Sequence, residues 1–460
     1  MPRQSSKLFT GLWVSSVSLF AIGCLWTALS PAQAVTVGIR WLALAVLAFV
    51  GIRNSSLTLW IFVAMLVGLE IGLDSPGIAA HLRVLSDIFL RLIKVIVAPL
   101  ILGTLITGIA GHGDLRKLGR IGLKSLVYFE VVTTIALFIG VGAINLSKAG
   151  VGLVLPPVAT EPAPQTAAAS PRWEDFVLHI FPENIVQSVA ENQILQVAVF
   201  AILFAIALTQ VPEKTREPIL GFAESLTQTM FRLTNIVMYF APIGVGAAMA
   251  FTVGHLGVNA LLPLGKLVLT AYAAFLALLL FVFLPIIYVA RLPLRRFLQS
   301  IAEPATIAFA TSASGAALPT AMENMETFGV PRRIVGFVIP AGYSFNMDGG
   351  TVYLAVASVF VAQAGGIHLA WSAQLLMIFT LMLTSKGIAG VPRATLVILL
   401  ATAASLHLPT EPIFIIMGVD AIIDMARTAV NVIGNCLASA VIARWEGELP
   451  DHLIDEQLPS

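Results

Sequence analysis

The stretch RRFLQSIAEPATIAFATSASGAALPTAMENMETFGVPRR, residues 295–333, decides the fold of this chain. It is a broken apolar run with small residues at its centre and an arginine pair at each end. In membrane proteins the short cytoplasmic loops carry the excess of Lys and Arg. A single span over 297–331 would place one arginine pair on the wrong side. The pattern therefore predicts a re-entrant hairpin that enters from the cytoplasm and returns to it.

The stretch 363–411 has the opposite pattern, because neither of its ends carries a basic residue. It predicts a second hairpin that enters from the outside, and the final span, 412–443, then leads to Arg444 on the inside. Two hairpins of opposite entry, each followed by a spanning helix, form an inverted repeat, which is typical of secondary transporters. Ordinary spans kinked by proline remain the alternative from the pattern alone.

The composition of the whole chain indicates a polytopic α-helical membrane protein. Of its 460 residues, 58% are apolar and 11% are charged, whereas soluble domains are about 25% charged. The 26 basic and 25 acidic residues nearly cancel, which excludes a nucleic-acid binder. A helical span takes about 20 residues, so the chain has room for about ten. The apolar stretches before the first hairpin are 8–29, 36–52, 57–73, 86–110, 121–147, 174–211, 220–254 and 261–289.

Basic residues set the orientation of these stretches. The connector 112–124 and the one that holds Lys214 and Arg216 are predicted inside, and the connectors 148–172 and 255–260 are predicted outside. At the N-terminus, Ala32-Gln33-Ala34 resembles a signal-peptide cleavage site. Alternatively, 8–29 and 36–52 form an extra helical hairpin. We favour the hairpin because the first apolar run is long and the next is also apolar.

The last predicted helix carries one polar stripe in an apolar sequence, GVDAIIDMARTAVNVIGN, residues 418–435. Spacings of three and four residues put all of its polar side chains on one face; they are Asp420, Asp424, Arg427, Thr428, Asn431 and Asn435. Ionised groups are costly in a bilayer, so three within two turns indicate a binding site rather than a structural ion pair. Arginine suits a carboxylate and aspartate suits an ammonium group, which together describe an amino acid.

Three further motifs interrupt the apolar segments of the second half. GYSFNMDGGT, residues 342–351, puts Asn346 and Asp348 in mid-membrane, and its glycines permit an unwound backbone whose carbonyls can face a cation. TSASGAALP (311–319) and TSKGIAGVP (384–392) form the predicted hairpin tips. Breaks of this kind expose helix-end N–H groups to a carboxylate. The alternatives are a kinked helix with a buried acid and close packing of small residues.

In this order the motifs SASGAALP, GYSFNMDGG, TSKGIAGVP and DMARTAVNVIGN resemble the dicarboxylate/amino acid:cation symporter family, which includes the glutamate transporters. FPENIVQSVAENQILQVAVFAI (181–202), YFAPIGVGA (239–247) and YFEVVTT (128–134) extend the resemblance over about residues 57–445.

The resemblance implies an all-α polytopic fold with eight family helices and two re-entrant hairpins, to which the N-terminus adds one or two helices. It implies a homotrimer in the inner membrane, whose transport domains move like elevators against a trimeric scaffold. The expected parts are extra N-terminal segments (1–53), the first three family helices (54–148), an external loop with scaffold helices four and five (149–254), the transport-domain core (255–445) and a cytoplasmic tail (446–460).

The resemblance also implies the substrate, which is an acidic amino acid, glutamate or aspartate. Arg427 would bind its side-chain carboxylate, Asp424 its amino group, and Asp420 would orient Arg427. The other substrate contacts are expected from Ser312, Ala313, Ser314, Thr428 and Asn431, with Gly390 and Val391 closing over the substrate as an extracellular gate.

Departures from the family pattern concern the coupling ion, for which H⁺ and Na⁺ are the alternatives. Sodium-coupled members carry Asp at the position of Asn435 and Thr at that of Val132, so the pattern favours H⁺, with Glu130 as a candidate proton carrier. The family's second substrate arginine is also missing, because its positions hold Ser312 and Met425. The cation ligands that remain are Thr133, Asn346, Met347, Asp348 and the carbonyls of Gly342, Ser344, Ser385, Ile388 and Asn431.

Other functions compete with an acidic amino-acid symporter. A neutral amino-acid or C4-dicarboxylate carrier is the alternative within the family. An intramembrane aspartyl hydrolase could use Asp420 and Asp424, but Arg427 would keep both ionised. An anion channel needs a continuous polar pore, whereas intramembrane polarity is confined to the last third of the chain. No cofactor beyond the coupling ion is expected.

Overall fold

The computed structural model describes residues 34–54, 57–110, 115–153, 178, 181–191, 193–257, 260–385, 394–406 and 408–449. Within them every regular element is a helix, as the composition predicts. The helices are α1 (Ala34–Asn54), α2 (Leu57–Asp74), α3 (Pro76–Ala110), α4 (Leu115–Ser147), α5 (Ile185–Ala190), α6 (Ile194–Thr209), α7 (Glu213–Met238), α8 (Ala241–Leu256), α9 (Leu261–Leu278), α10 (Leu284–Val289), α11 (Leu294–Thr311), α12 (Ser314–Phe328), α13 (Arg332–Phe345), α14 (Asp348–Ala364), α15 (Trp371–Thr384), α16 (Ala394–Ser405), α17 (Glu411–Met417) and α18 (Asp420–Glu446). A π-helical turn, Leu279–Phe283, joins α9 to α10.

Five helical segments of the described chain are long and apolar enough to cross a membrane. They are Pro76–Thr107, Arg120–Ser147, Leu261–Val289, Arg332–Ala364 and Asp420–Glu446. The pair α7 and α8 counts as a sixth if it is one span, although its axis bends by 52° at residues 239–240. The chain is therefore a multi-pass membrane protein.

Some predicted spans are interrupted in the structure. The apolar stretch 174–211 contains the short helix α5 and then α6. The predicted final span 412–443 begins with the separate helix α17, and α18 starts only at Asp420, after a turn at Gly418 and Val419. Hydropathy does not detect such turns, because the residues that form them are themselves small or apolar.

The helices pack in two groups. In the first group, α8 packs against α2 and α3, and α3 also packs against α6 and α7. In the second, α18 is surrounded by α9, α11, α12, α13 and α14, and α4 lies along α14. The contact of α2 with α8 requires glycine, because a Cβ on Gly68 would overlap the carbonyl oxygen of Gly246. We call these the α3 group and the α18 group.

The helix α1 precedes the stretch that resembles the family, and it packs on α2 through a buried ion cluster. The Arg40 guanidinium contacts Glu70 at 2.6 Å and Asp74 at 3.0 Å, and the Trp41 indole donates to Asp74 at 3.0 Å. Arg40 and Glu70 are both buried. Because neither charge is exposed to solvent, the pairing fixes how α1 sits on α2.

The segment 297–331 consists of two helices that pack side by side, α11 and α12, joined by a turn at Ser312 and Ala313. Ser312 adopts the left-handed conformation, with φ 51°. At the other end of the pair, the Asn324 amide donates to the Ser300 carbonyl at 3.0 Å, and the Phe297 and Phe328 rings meet edge to face. The predicted turn at the small residues is therefore where the chain reverses; the entry of this pair from the cytoplasm stays a prediction.

The stretch 363–411 contains two short helices, α15 of 14 residues and α16 of 12 residues. Each is shorter than the roughly 20 residues that a span takes. The predicted tip, 384–392, lies between them; Thr384 ends α15 and Ser385 follows it, and residues 386–392 lie outside the described residues.

The predicted break within GYSFNMDGGT, residues 342–351, is present, but the glycines do not form it. The helix ends at Phe345 and restarts at Asp348, so Asn346 and Met347 are the unwound residues. Gly349 and Gly350 lie in the first turn of α14. The expectation that the glycines supply the unwound backbone is wrong; Gly349 is required for close packing instead, because a Cβ there would overlap the Arg427 carbonyl oxygen.

Candidate functional site

The six polar side chains of α18 lie on one buried face, as their spacing predicts. None is more than 4% exposed; they are Asp420, Asp424, Arg427, Thr428, Asn431 and Asn435. The helix α18 packs against α13, which ends at the break, and against α14, which begins after it. Since charged groups out of water need partners, the contacts of this face indicate what it can bind.

Arg427 lies at the centre of a charged cluster, which we define as Tyr353, Asp420, Asp424, Arg427 and Thr428. The Arg427 guanidinium donates to Asp424 one helical turn earlier, and its other terminal nitrogen lies 3.6 Å from Asp420. The Thr428 hydroxyl donates to the same Asp424 oxygen at 3.1 Å. Two buried carboxylates thus face one buried guanidinium. The closer partner of Arg427 is Asp424 rather than Asp420.

Tyr353, on α14, belongs to this cluster and was not predicted from the sequence. Its hydroxyl donates to Asp420 at 2.8 Å, and the Arg427 guanidinium lies over its ring, 4.9 Å from the centroid. Tyr353 therefore holds Asp420 in place by a hydrogen bond and stabilises the Arg427 guanidinium by a cation–π contact. The available signal was a tyrosine in an otherwise apolar helix directly after the NMDGG motif, because a buried tyrosine hydroxyl needs a partner.

A second cluster, the amide cluster, joins the break to the far end of the stripe; its members are Asn346, Asp348, Asn431 and Asn435. The Asn346 amide donates to the Asn435 side-chain oxygen at 3.1 Å. The backbone N–H of Gly350 donates to the Asn431 side chain at 3.1 Å. Asp348 lies against α18, since a Cβ on Gly434 would be 2.5 Å from its carboxylate. Asn431 follows Arg427 by one turn, so the two clusters are contiguous.

The side-chain amides of Asn346 and Asn435, which we call the amide pair, do not form all of their possible hydrogen bonds within the described residues. The side-chain oxygen of Asn346 and the side-chain nitrogen of Asn435 are buried and have no hydrogen-bond partner within the described part of the chain. One acceptor and one donor thus remain for a ligand, a water molecule or an ion. The helix α13 ends here and α14 begins here, so a partial negative and a partial positive helix end converge on the same point.

The turn between α11 and α12 offers groups for an anion. The Ser312 hydroxyl is buried and has no hydrogen-bond partner among the described residues. Ser314 begins α12 and is buried, so the first N–H groups of that helix are at the turn. Both α11 and α12 pack against α18.

The other predicted residues are distributed around this centre. Thr133 is buried on α4, and its hydroxyl donates to the Phe129 carbonyl at 2.7 Å. Glu130 is half-buried on the same helix. Met347 lies in the break, Gly342 and Ser344 are in the last turns of α13, and the buried Ser385 follows α15. Ile388, Gly390 and Val391 lie outside the described residues.

The helix α4 brings its residues to the amide cluster. Tyr128 is buried and lies close enough to Asp348 for an electrostatic interaction. Val132 is also buried and follows Tyr128 by one turn, so it shares that face of the helix. Val132 thus presents an apolar side chain on the face of α4 that carries Tyr128.

Sequence comparison links this geometry to known proteins. Residues 57–445 match the model of the sodium:dicarboxylate symporter family. The chain is 43% identical over 390 residues to the proton/glutamate-aspartate symporter of Bacillus subtilis (strain 168), an alignment that covers 84% of this chain and 94% of that protein. It is 39% identical over 407 residues to the proton/sodium-glutamate symport protein of Bacillus caldotenax, covering 86% and 96%. It is also 39% identical over 415 residues to the C4-dicarboxylate transport protein of Solibacter usitatus (strain Ellin6076), covering 88% and 96%.

Proposed function

This chain belongs to the sodium:dicarboxylate symporter family, and on that premise we propose that it carries glutamate or aspartate into the cell together with a cation. It is a multi-pass inner-membrane transporter. The family and the relatives are symporters, so the interpretation of Asp420 and Asp424 as the catalytic pair of a hydrolase is wrong.

The observation that carries the substrate proposal is the charged cluster. An acidic amino acid presents two carboxylates and an ammonium group. The side-chain carboxylate would replace Asp424 at the Arg427 guanidinium, and the ammonium group would replace Arg427 at Asp424. These two substrate groups thus exchange one buried ion pair for two, and neither Arg427 nor Asp424 loses its partner. Tyr353 and Asp420 would hold Arg427 in place during this exchange.

The remaining substrate contacts follow from the surrounding elements. We assign the α-carboxylate to Asn431 and to the main-chain groups of Ser312, Ala313 and Ser314, with the Ser312 hydroxyl beside them. The unsatisfied Ser312 hydroxyl and the start of α12 at Ser314 support this assignment. Thr428 would add a hydroxyl contact. The gate proposed at Gly390 and Val391 rests on the family resemblance.

We propose that H⁺ is the coupling ion, with Na⁺ as the alternative. The proposal is supported by the amide of Asn435 and the apolar side chain of Val132, which replace two oxygen ligands of the sodium-coupled pattern. The Asn435 side chain, which is hydrogen-bonded to Asn346, is a neutral amide and offers no negative charge to a cation. For Na⁺, the available oxygens would be those of Asn346 and Asp348, with Thr133, Asn431 and the carbonyls around the break. Glu130 stays a candidate proton carrier on the half-burial of its side chain.

The transport movement and assembly are proposed from the family pattern together with the packing. The α18 group, with α4, would be the transport domain, and the α3 group would be the scaffold of a homotrimer. The two packing groups support this division, because α4 packs on α14 and α9 while α3 packs on α6, α7 and α8. The transport domain would slide across the membrane like an elevator.

A C4-dicarboxylate carrier is the second candidate, and the relative from Solibacter usitatus favours it. A C4-dicarboxylate has no ammonium group, so it would bring a second negative charge towards Asp424. The carboxylate of Asp424, which is 3% exposed, therefore favours the amino acid.

The test is uptake of radiolabelled glutamate, aspartate and succinate into proteoliposomes under separate H⁺ and Na⁺ gradients. We expect saturable uptake of the amino acids, driven by the H⁺ gradient alone. Preference for succinate would contradict the substrate, and a requirement for Na⁺ would contradict the coupling ion. The matched variant Asn435→Asp restores a carboxylate beside Asn346, so its uptake is expected to become dependent on Na⁺.

A further inference from the structure

A stacked cluster of three side chains lies away from the substrate site. The Arg83 guanidinium, on α3, lies 5.2 Å from the centroid of the Phe251 ring on α8 and 5.6 Å from that of the Phe414 ring on α17. Arg83 is partly exposed, and its ion pair with Asp87 is long, at 3.8 Å. The two aromatic rings are therefore its main partners. We call these residues the arginine stack.

The arginine stack joins the two packing groups. Arg83 and Phe251 belong to the α3 group, in which α3 and α8 pack against each other. Phe414 belongs to α17, which packs on α8 of the α3 group and on α14 of the α18 group and leads directly into α18. The cation therefore holds one ring of its own group and one ring on the segment that precedes the polar stripe.

The stack also lies at one end of the spans. Arg83 is near the start of α3, whose other end leads to the connector predicted inside, 112–124. Phe251 is near the end of α8, just before the connector predicted outside, 255–260. Phe414 precedes α18, whose far end carries Arg444. All three side chains are thus at the predicted external end.

We propose that the arginine stack is a latch that holds the transport domain in its outward position, with Arg83 as the positioning residue. The inference rests on the proposed elevator movement. An inward slide of α17 and α18 carries Phe414 away from Arg83, while Phe251 stays with it. The latch thus contributes one cation–π contact that exists only in the outward position. A contact that exists in one state shifts the equilibrium towards that state by its own free energy.

The variants Arg83→Gln and Phe414→Leu test the latch. Each removes the contact between the groups, so each is expected to lower the apparent affinity for external glutamate by roughly two- to fivefold. The double variant is expected to show no further loss, because both substitutions remove the same contact. Thermal stability is expected to stay unchanged. Arg91→Gln is the matched control, since it removes an exposed arginine from the same helix. Additive effects, or effects equal to that of the control, would overturn the latch while leaving glutamate symport intact.

Cross-linking separates failure of the latch from failure of the elevator. In a chain with Cys24 and Cys436 replaced by serine, Arg83→Cys and Phe414→Cys put thiols at the two positions whose side chains meet in the arginine stack. A bis-methanethiosulfonate reagent with a flexible spacer is expected to cross-link them and stop glutamate uptake, and dithiothreitol is expected to restore uptake. Full uptake by the cross-linked protein would overturn both the latch and the elevator. Absence of glutamate uptake by the uncross-linked wild-type chain would refute the proposed function, and the latch with it.

Discussion

Replacement of Arg427 by cysteine is expected to weaken strongly the binding of acidic amino acids while sparing that of small neutral ones. Arg427 is 4% exposed and donates to Asp424, with Asp420 at 3.6 Å. Removing one partner of a buried charge pair costs about 2–5 kcal/mol of binding free energy. At 1.4 kcal/mol for each factor of ten, the affinity for glutamate should fall by about 30-fold to about 4,000-fold.

Neutral substrates report on the rest of the site in the same variant. Asp424 is freed from its arginine and still accepts the ammonium group, so alanine or serine should bind at least as well as in the parent protein. The readout is the Kd of glutamate and of serine for the purified protein, from calorimetry. Arg427→Lys keeps the positive charge but lacks the planar guanidinium, so its glutamate Kd should lie between those of the parent protein and of Arg427→Cys.

The matched control for Arg427→Cys is Arg444→Lys, at the end of the same helix, where the guanidinium donates to the carbonyls of Ala290 and Arg291. It should leave both dissociation constants unchanged. An unchanged glutamate Kd in folded Arg427→Cys protein would refute the role of the guanidinium as the carboxylate ligand.

Three further substitutions test the surroundings of the site and the N-terminal helix. Gly342→Ala should lower the melting temperature and abolish uptake, because its Cβ would overlap the amide pair beside it; a normal melting curve would contradict this packing. Tyr353→Phe removes the hydroxyl donated to Asp420 at 2.8 Å and should weaken glutamate binding by roughly 5- to 100-fold with the fold intact. Arg40→Met should destabilise the protein to heat by leaving Glu70 unpaired, and Arg40→Met with Glu70→Met should restore stability. A double variant no more stable than the single one would show that Glu70 is not the charge at issue.

The amino-acid sequence determined the class of this protein and the location of its polar site. The spans and their orientation follow from the order of apolar and basic residues along the chain, because a bilayer excludes charge wherever the chain crosses it. The stripe on α18 could be found in the same way, because a helix repeats its faces every three to four residues. The reversal of the chain at 312–313 and the break before Asp348 were predictable from small and polar residues inside apolar runs.

The tertiary structure decided which of these groups meet. Tyr353 contacts Asp420 across 67 residues of chain, and Asn346 contacts Asn435 across 89 residues. Contacts between residues so far apart in the sequence cannot be read from the periodicity of one helix, because they result from how α14 and α13 pack on α18. The sequence does not reveal the packing role of Gly349 for the same reason. A glycine that the backbone conformation requires and one that a neighbouring helix requires look the same in sequence, and only the neighbouring atoms distinguish them.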